Sequence, residues 1–164
     1  MFQENGSNFE AGGVMDTPLK VLVVEDVEAD AILLMLELNR GGYDPSYLRV
    51  ETGPEMEQAL STQEWDLILA DFMLPQFSGT EALKLFNKSG LDIPFIIVSG
   101  KLSEEGAVES LKAGAHDFVS KNNLARLTPA IRRELADSEL RRERKYMKKL
   151  SLRTRLCSKC SWTP

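Results

Sequence analysis

Five side chains that could do chemistry fall at the ends of successive apolar runs. Glu25 and Asp26 close LKVLVVED, Asp71 follows WDLILA, Ser99 ends the apolar stretch of IPFIIVSG, and Lys121 ends HDFVSK. Carboxylates brought together repel, so Glu25, Asp26 and Asp71 either raise one another's pKa values or hold a hard divalent cation. Magnesium suits such a set best, because it takes few carboxylates, keeps some waters and leaves positions open for phosphate oxygens. Asp71 is then the candidate nucleophile, since a carboxylate can form an acyl phosphate that conserves a donor's reactivity. Lys121 would supply a compact positive charge and Ser99 a hydroxyl donor, with metal and lysine stabilising the charge of a transferring group. Each residue alone has a plainer reading. An Asp after a strand is commonly a cap, a Ser before Gly a turn, and a lone Lys a surface charge. Their joint occurrence at successive run ends gives the chemical reading its weight.

Short apolar and β-branched runs, each followed by a helix-like stretch, predict parallel strands in an α/β sheet, whose ligand sites lie at the strands' carboxyl ends. The five side chains would therefore converge on one edge. Strands are expected at 19–25, 46–50, 66–70, 94–98 and 116–119. The first helix carries Ala29, Ile32, Leu33, Leu36 and Leu38 up to a Gly41-Gly42 stop, and a short second one presents Met56, Ala59 and Leu60. A third, 79–88, turns Ala82, Leu83 and Phe86 inward; a fourth, 104–113, follows the cap candidate Ser103, with Glu104 and Glu105 favouring its dipole. This alternation predicts a five-stranded parallel sheet covered on both faces. The last helix starts at Thr128-Pro129 and meets no further breaker until Pro164, so it should project beyond the domain. Along it Ala136, Leu140, Met147 and Leu150 resemble a short coiled-coil seam interrupted by Glu143, which could pair two copies or be a solvated linker.

At 164 residues and 43% hydrophobic content, the chain suits one domain with an extension. We divide it into a leader at 1–17, a domain at 18–128, an extended helix and linker at 129–152, and a tail at 153–164. Residues 1–128 carry 9 Lys/Arg against 21 Asp/Glu, a net of −12, while 129–164 carry 11 against 4, a net of +7, together the chain's −5. So acidic a body argues against nucleic acid as a partner, because phosphate contacts need a basic surface. There is no apolar run long enough to insert in a membrane and no secretory pattern at the N-terminus, so a cytoplasmic location is expected. Cys157 and Cys160 could be half a zinc knuckle or a redox pair, but the sole histidine, His116, lies within the domain, so an incidental tail is the reading adopted.

The blocks VLVVEDVEAD, DFMLPQFSGTEAL, IIVSG and LKAGAHDFVSKN, spread over 18–128, resemble the receiver domain of bacterial two-component response regulators. The resemblance implies the flavodoxin-like strand order 2-1-3-4-5. By position, Asp71 is similar to the phosphorylated Asp and Asp26 to a direct magnesium ligand. Glu25 is similar to a water-mediated ligand, and Met73 to the residue whose backbone carbonyl joins the metal. Ser99 and Lys121 match the switch hydroxyl and the lysine, and Phe118 matches the aromatic that turns inward on activation. The implied partner is a sensor histidine kinase or histidine phosphotransfer domain. The implied activity is signalling, with no catalysis beyond the domain's own phosphorylation and dephosphorylation. The VSG and KNNLARL variants resemble receivers attached by a long helix to sensor kinases or cyclic-dinucleotide enzymes.

Two departures from the family stand out. Asn122 replaces the usual Pro after the lysine, and a cis bond without Pro costs about 3 kcal/mol, so either a trans link with a reshaped loop or a strained cis one is expected. Gly100 replaces the commoner Ala and should loosen the loop that follows. A haloacid dehalogenase phosphatase would need a second acid where Met73 stands. A flavodoxin would not place Glu25, Asp26 and Glu28 against a flavin phosphate. An inactive scaffold with a vestigial site is the third alternative.

Overall fold

The computed structural model describes residues 16–101 and 103–157, with no side-chain account beyond residue 153. Five strands, β1 (Thr17–Val24), β2 (Tyr43–Val50), β3 (Leu67–Ala70), β4 (Phe95–Ser99) and β5 (Asp117–Ser120), form one parallel sheet in the order β2-β1-β3-β4-β5. Between them lie α1 (Glu28–Arg40), α2 (Gly53–Thr62), α3 (Gly79–Ser89) and α4 (Glu104–Lys112), and α5 (Leu127–Cys157) follows. This is the five-stranded order expected from the sequence.

Central strands are apolar on both faces because helices cover both. Val21, Val23, Leu67, Leu69, Ile96 and Val98 pack with α1 and α5; Leu22, Val24, Ile68, Ala70, Phe95 and Ile97 pack with α2 and α3. β2 is an edge strand, which is why it tolerates Pro45 and can begin at Tyr43, three residues ahead of the expected start. Thr17 pairs with Tyr43, so the last residue assigned to the leader belongs to β1. Of that leader, residues 1–15 lie outside the described residues, as does most of the tail, Cys160 included.

The expected face of α1 was wrong except at Leu38. Ala31, Leu34, Met35 and Leu38 are buried, whereas Ile32, Leu33 and Leu36 are exposed. The helix is apolar nearly all round, so two stripes compete on periodicity, and only the sheet decides between them. The other two inner faces are as expected: Met56 and Ala59 on α2 are buried and Leu60 partly so, and Ala82, Leu83 and Phe86 on α3 are buried. Capping boxes fix where these helices start, with Thr52 and Ser78 each accepting from the backbone N–H of a glutamate three residues on. α4 has its expected Ser103 cap but buries fully only Ser110, so it is the lightly held helix.

α5 is 31 residues long, about 46 Å at 1.5 Å per residue. It is preceded by a 3-10 segment, Lys121–Arg126, which reshapes the loop after β5. The Lys121–Asn122 bond is trans, and Ser120 Oγ accepts from the Asn122 N–H. No helix of the described residues is long and apolar enough to cross a membrane.

Candidate functional site

Parallel strands aim their carboxyl ends one way, and the loops leaving β1, β3 and β5 meet there. β1 ends at Val24, and the Glu25 N–H donates to the Val50 carbonyl at 3.1 Å, so the next residues peel off over the edge. The Asp71 N–H likewise donates to the Val24 carbonyl at 2.8 Å, drawing the end of β3 against β1. Carboxylate oxygens of Glu25, Asp26 and Asp71 come within 4.8 Å of one another.

Lys121 reaches this cluster from the end of β5. Its ammonium donates to Glu25 Oε2 at 2.7 Å, Asp30 Oδ2 at 2.7 Å and Asp71 Oδ2 at 2.8 Å. Glu25 is only 1% exposed, and burial pushes its carboxyl above the ordinary value against the opposing pull of Lys121. Burial by itself would lower the lysine, but its bonds to Asp30, Asp71 and Glu25 outweigh that and raise it. One cation among four carboxylates leaves surplus negative charge on hard oxygen donors, which is the donor chemistry of a divalent cation site.

The loop after Asp71 is held tightly. The Met73 N–H donates to Asp71 Oδ1 at 3.2 Å, Met73 bridges Ser78, and the Gly79 N–H donates to the Phe72 carbonyl. A Cβ at Gly79 would lie 2.8 Å from Phe72 Cα and 2.9 Å from the Asp71 carbonyl, so a side chain there would push the backbone behind Asp71 out of place. Gly100 is different. A Cβ would meet nothing nearer than Lys121 Cβ at 3.9 Å, so glycine is not sterically required.

Ser99 is the buried last residue of β4. The β4–β5 register sets Ile97 beside Phe118 and Ser99 beside Ser120. Strand alternation therefore puts Ser99 and Phe118 on one sheet face, diagonal neighbours, and Phe118 is partly buried against the α2/α3 core. Thus the structure brings Glu25, Asp26, Asp71 and Lys121 into one cluster and sets Ser99 and Phe118 beside each other on neighbouring strands.

Two contributors were missed from sequence. Asp30 sits in the first turn of α1 and takes a full hydrogen bond from Lys121; its signal was an acid four residues after Asp26. Arg49 donates to the Glu25 and Asp26 carbonyls at 3.0 and 3.1 Å, bracing the acidic loop from the end of β2. Nothing local marks that role, because it depends on the β1–β2 pairing.

Residues 21–132 match the family model described as the response regulator receiver domain. The chain is 35% identical over 102 residues to the alkaline phosphatase synthesis transcriptional regulatory protein PhoP of Bacillus subtilis, covering 62% of this chain and 42% of that one. It spans about half the length of the relatives it matches. Among solved structures, it resembles the signal receiver domain assigned to a LuxO repressor of Vibrio parahaemolyticus at 31% identity and a TM-score of 0.67, covering 76% of this chain and 95% of that one. It also resembles the receiver domain of the sensor histidine kinase PA1611 of Pseudomonas aeruginosa, solved with magnesium coordinated in its active-site cleft, at 25% identity and a TM-score of 0.61, covering 73% and 99%. Since PhoP is a transcriptional regulator, the expected absence of a nucleic-acid partner draws no support from the relatives.

Proposed function

The chain belongs to the response regulator receiver domain family of two-component signalling, and from that premise we propose that it accepts a phosphoryl group on Asp71 from a partner's phosphohistidine. One observation carries the reading. Asp71 is the strand-end carboxylate that both touches Lys121 and lies within reach of Glu25 and Asp26. An Asp71 oxygen would bond to phosphorus as the phosphorus–nitrogen bond breaks, the electron pair returning to an imidazole protonated on its other nitrogen, which leaves neutral. Lys121 then pairs with the phosphoryl oxygens in place of the carboxylate it held.

Glu25, Asp26 and Asp71 bring hard carboxylate oxygens together and, with the Met73 backbone carbonyl, would hold a magnesium ion, Asp26 as a direct ligand and Glu25 through water. When bound, the ion supplies positive charge for the carboxylates and the incoming phosphoryl oxygens. The magnesium-bearing receiver neighbour supports that assignment. Ser99 offers its hydroxyl to the new phosphoryl group, and Phe118 on the neighbouring strand turns inward as Ser99 shifts, a two-state population change read out on α4, β5 and α5. α4 is suited to move because it buries so little. The donor is a sensor histidine kinase or histidine phosphotransfer domain, met in the cytoplasm. The body at 18–128 receives, and 129–152 transmits as a lever.

Labelling the chain with a small phosphodonor tests this. Label should need magnesium, vanish in Asp71→Asn, and fall further with Asp26→Ala than with Glu25→Ala. Label retained on Asp71→Asn would sink the acceptor assignment, and failure to bind beryllofluoride with magnesium would leave the inactive scaffold.

A further inference from the structure

Where α5 leaves the sheet, its two sides are occupied differently. On the side meeting the body, Ile131, Glu134 and Ser138 are buried, and Arg141 and Lys145 reach the Asp92 carboxylate at 3.0 and 2.5 Å. Each residue turns about 100°, so Ala136, Leu140, Glu143, Met147 and Leu150 lie on the far side, roughly 120–200° around from Ser138. They alternate by four and three, the rhythm of a two-stranded coil, with Leu140 and Met147 at a and Ala136, Glu143 and Leu150 at d. Leu140 is 50% exposed, Met147 65% and Leu150 40%, an apolar strip turned away from the chain's own core.

We propose that a second copy of the chain covers this strip with its own, in a parallel two-stranded coil, in register, from Arg132 to Leu150. Charge at the flanking positions selects that occupant. In a parallel pair the g residue of one helix faces the e residue five positions on in the other. Arg132 therefore faces Asp137 of the second copy, and Glu139 faces Arg144. The next pair, Tyr146 with Ser151, is uncharged. Every charged flanking pair within the strip is thus of opposite sign, although this end of the chain is strongly basic. The hydrogen bonds to Asp92 fix the direction of the helix, so the strip is presented before the partner arrives. Two layers are poor. Arg133, at the a position before Leu140 and paired with Asp117 of its own body, and Glu143 at d each set like charges against each other across the seam, which makes the association weak and concentration-dependent. This inference does not depend on Asp71.

Sedimentation equilibrium of the full chain tests it. The native chain should show a monomer–dimer equilibrium, and Glu143→Leu should tighten it at least about tenfold by replacing a charged layer with a buried leucine. Met147→Asp should return a monomer. Glu139→Arg should weaken association several-fold, and adding Arg144→Glu to it should restore native affinity, since only an in-register parallel pair opposes these positions. All four residues are exposed, so the body should fold unchanged. Monomers for both the native chain and Glu143→Leu at millimolar concentration would overturn the proposal. So would a dimer indifferent to Met147→Asp, or a double reversal no tighter than the single one.

Discussion

The two ends of the sheet hold the same charged groups in opposite proportion. At the carboxyl ends one ammonium, Lys121, is shared by Glu25, Asp30 and Asp71, with Asp26 alongside. Just ahead of β4, at the other end, one carboxylate, Asp92, is shared by Arg141 and Lys145 while its backbone carbonyl takes Arg142. The Lys145 hydrogen bond, with Arg141 behind it and burial opposing, holds the Asp92 carboxyl below its ordinary value. Coulomb attraction operates at both ends, yet the first is left with surplus negative charge on hard oxygen donors. The second is a clamp. Its cations come from one helix, so their shared partner fixes the course of α5.

Removing the minority charge at each end should separate them, and the larger effect belongs to the carboxyl end. Lys121→Met leaves Glu25 buried without its counter-charge, and should cost about 2–3 kcal/mol of stability by urea unfolding. Magnesium should recover part of that loss, because an ion bound only to the folded state stabilises it. A variant that loses no stability, or does not respond to magnesium, would break the comparison.

Asp92→Asn should do less. The pairs are partly exposed, so about 1 kcal/mol is at stake. Hydrogen exchange should quicken from Arg141 onward while magnesium affinity holds. Because the folded Asp92 value is depressed, its contribution is complete above the unfolded value of 3.8 and is lost as pH falls through the folded one. Native and variant stability curves should therefore converge on the acid side. Curves that stay parallel would mean the clamp stores no charge–charge stabilisation.

The carboxyl end was legible in sequence because strand periodicity and parallel order carry each end residue to one edge without knowledge of packing. Glu25, Asp26, Asp71 and Lys121 were found that way, and their cluster is present. The amino end was not legible. Asp92 meets residues 49 and 53 positions further on, and the sequence shows only an Asp before Ile-Pro and a basic helix. The mistaken face of α1 has the same origin, since two apolar stripes of similar strength were separated only by the sheet. Asp30 lies between these cases: its spacing from Asp26 was visible, but its tie to Lys121 depends on where α1 begins.

The smallest expected effect lies at His116, where the cationic end touches the core. Its ring Nδ1 accepts the Phe95 N–H at 3.1 Å, so the ring sits neutral there, while its backbone N–H donates to the Phe95 carbonyl at 2.8 Å. Burial lowers its pKa first and the Arg141 charge adds to that, with Glu134 and Asp92 pulling the other way. The unfolded chain therefore binds a proton that the folded one resists. Stability attributable to this group is complete above the unfolded value of 6.5 and declines as pH falls below it, no more steeply than about 1.4 kcal/mol per pH unit. His116→Asn keeps an acceptor near Nδ1 and cannot titrate. The native chain should lose stability between neutral pH and the carboxylate range faster than this variant does. A native slope retained in Arg141→Gln would assign the effect to burial, whereas a flattened slope would show how far the basic helix reaches into the core. Identical slopes for native protein and His116→Asn would show that the ring carries its proton as readily folded as unfolded, and the neutral acceptor drawn for Phe95 would be wrong.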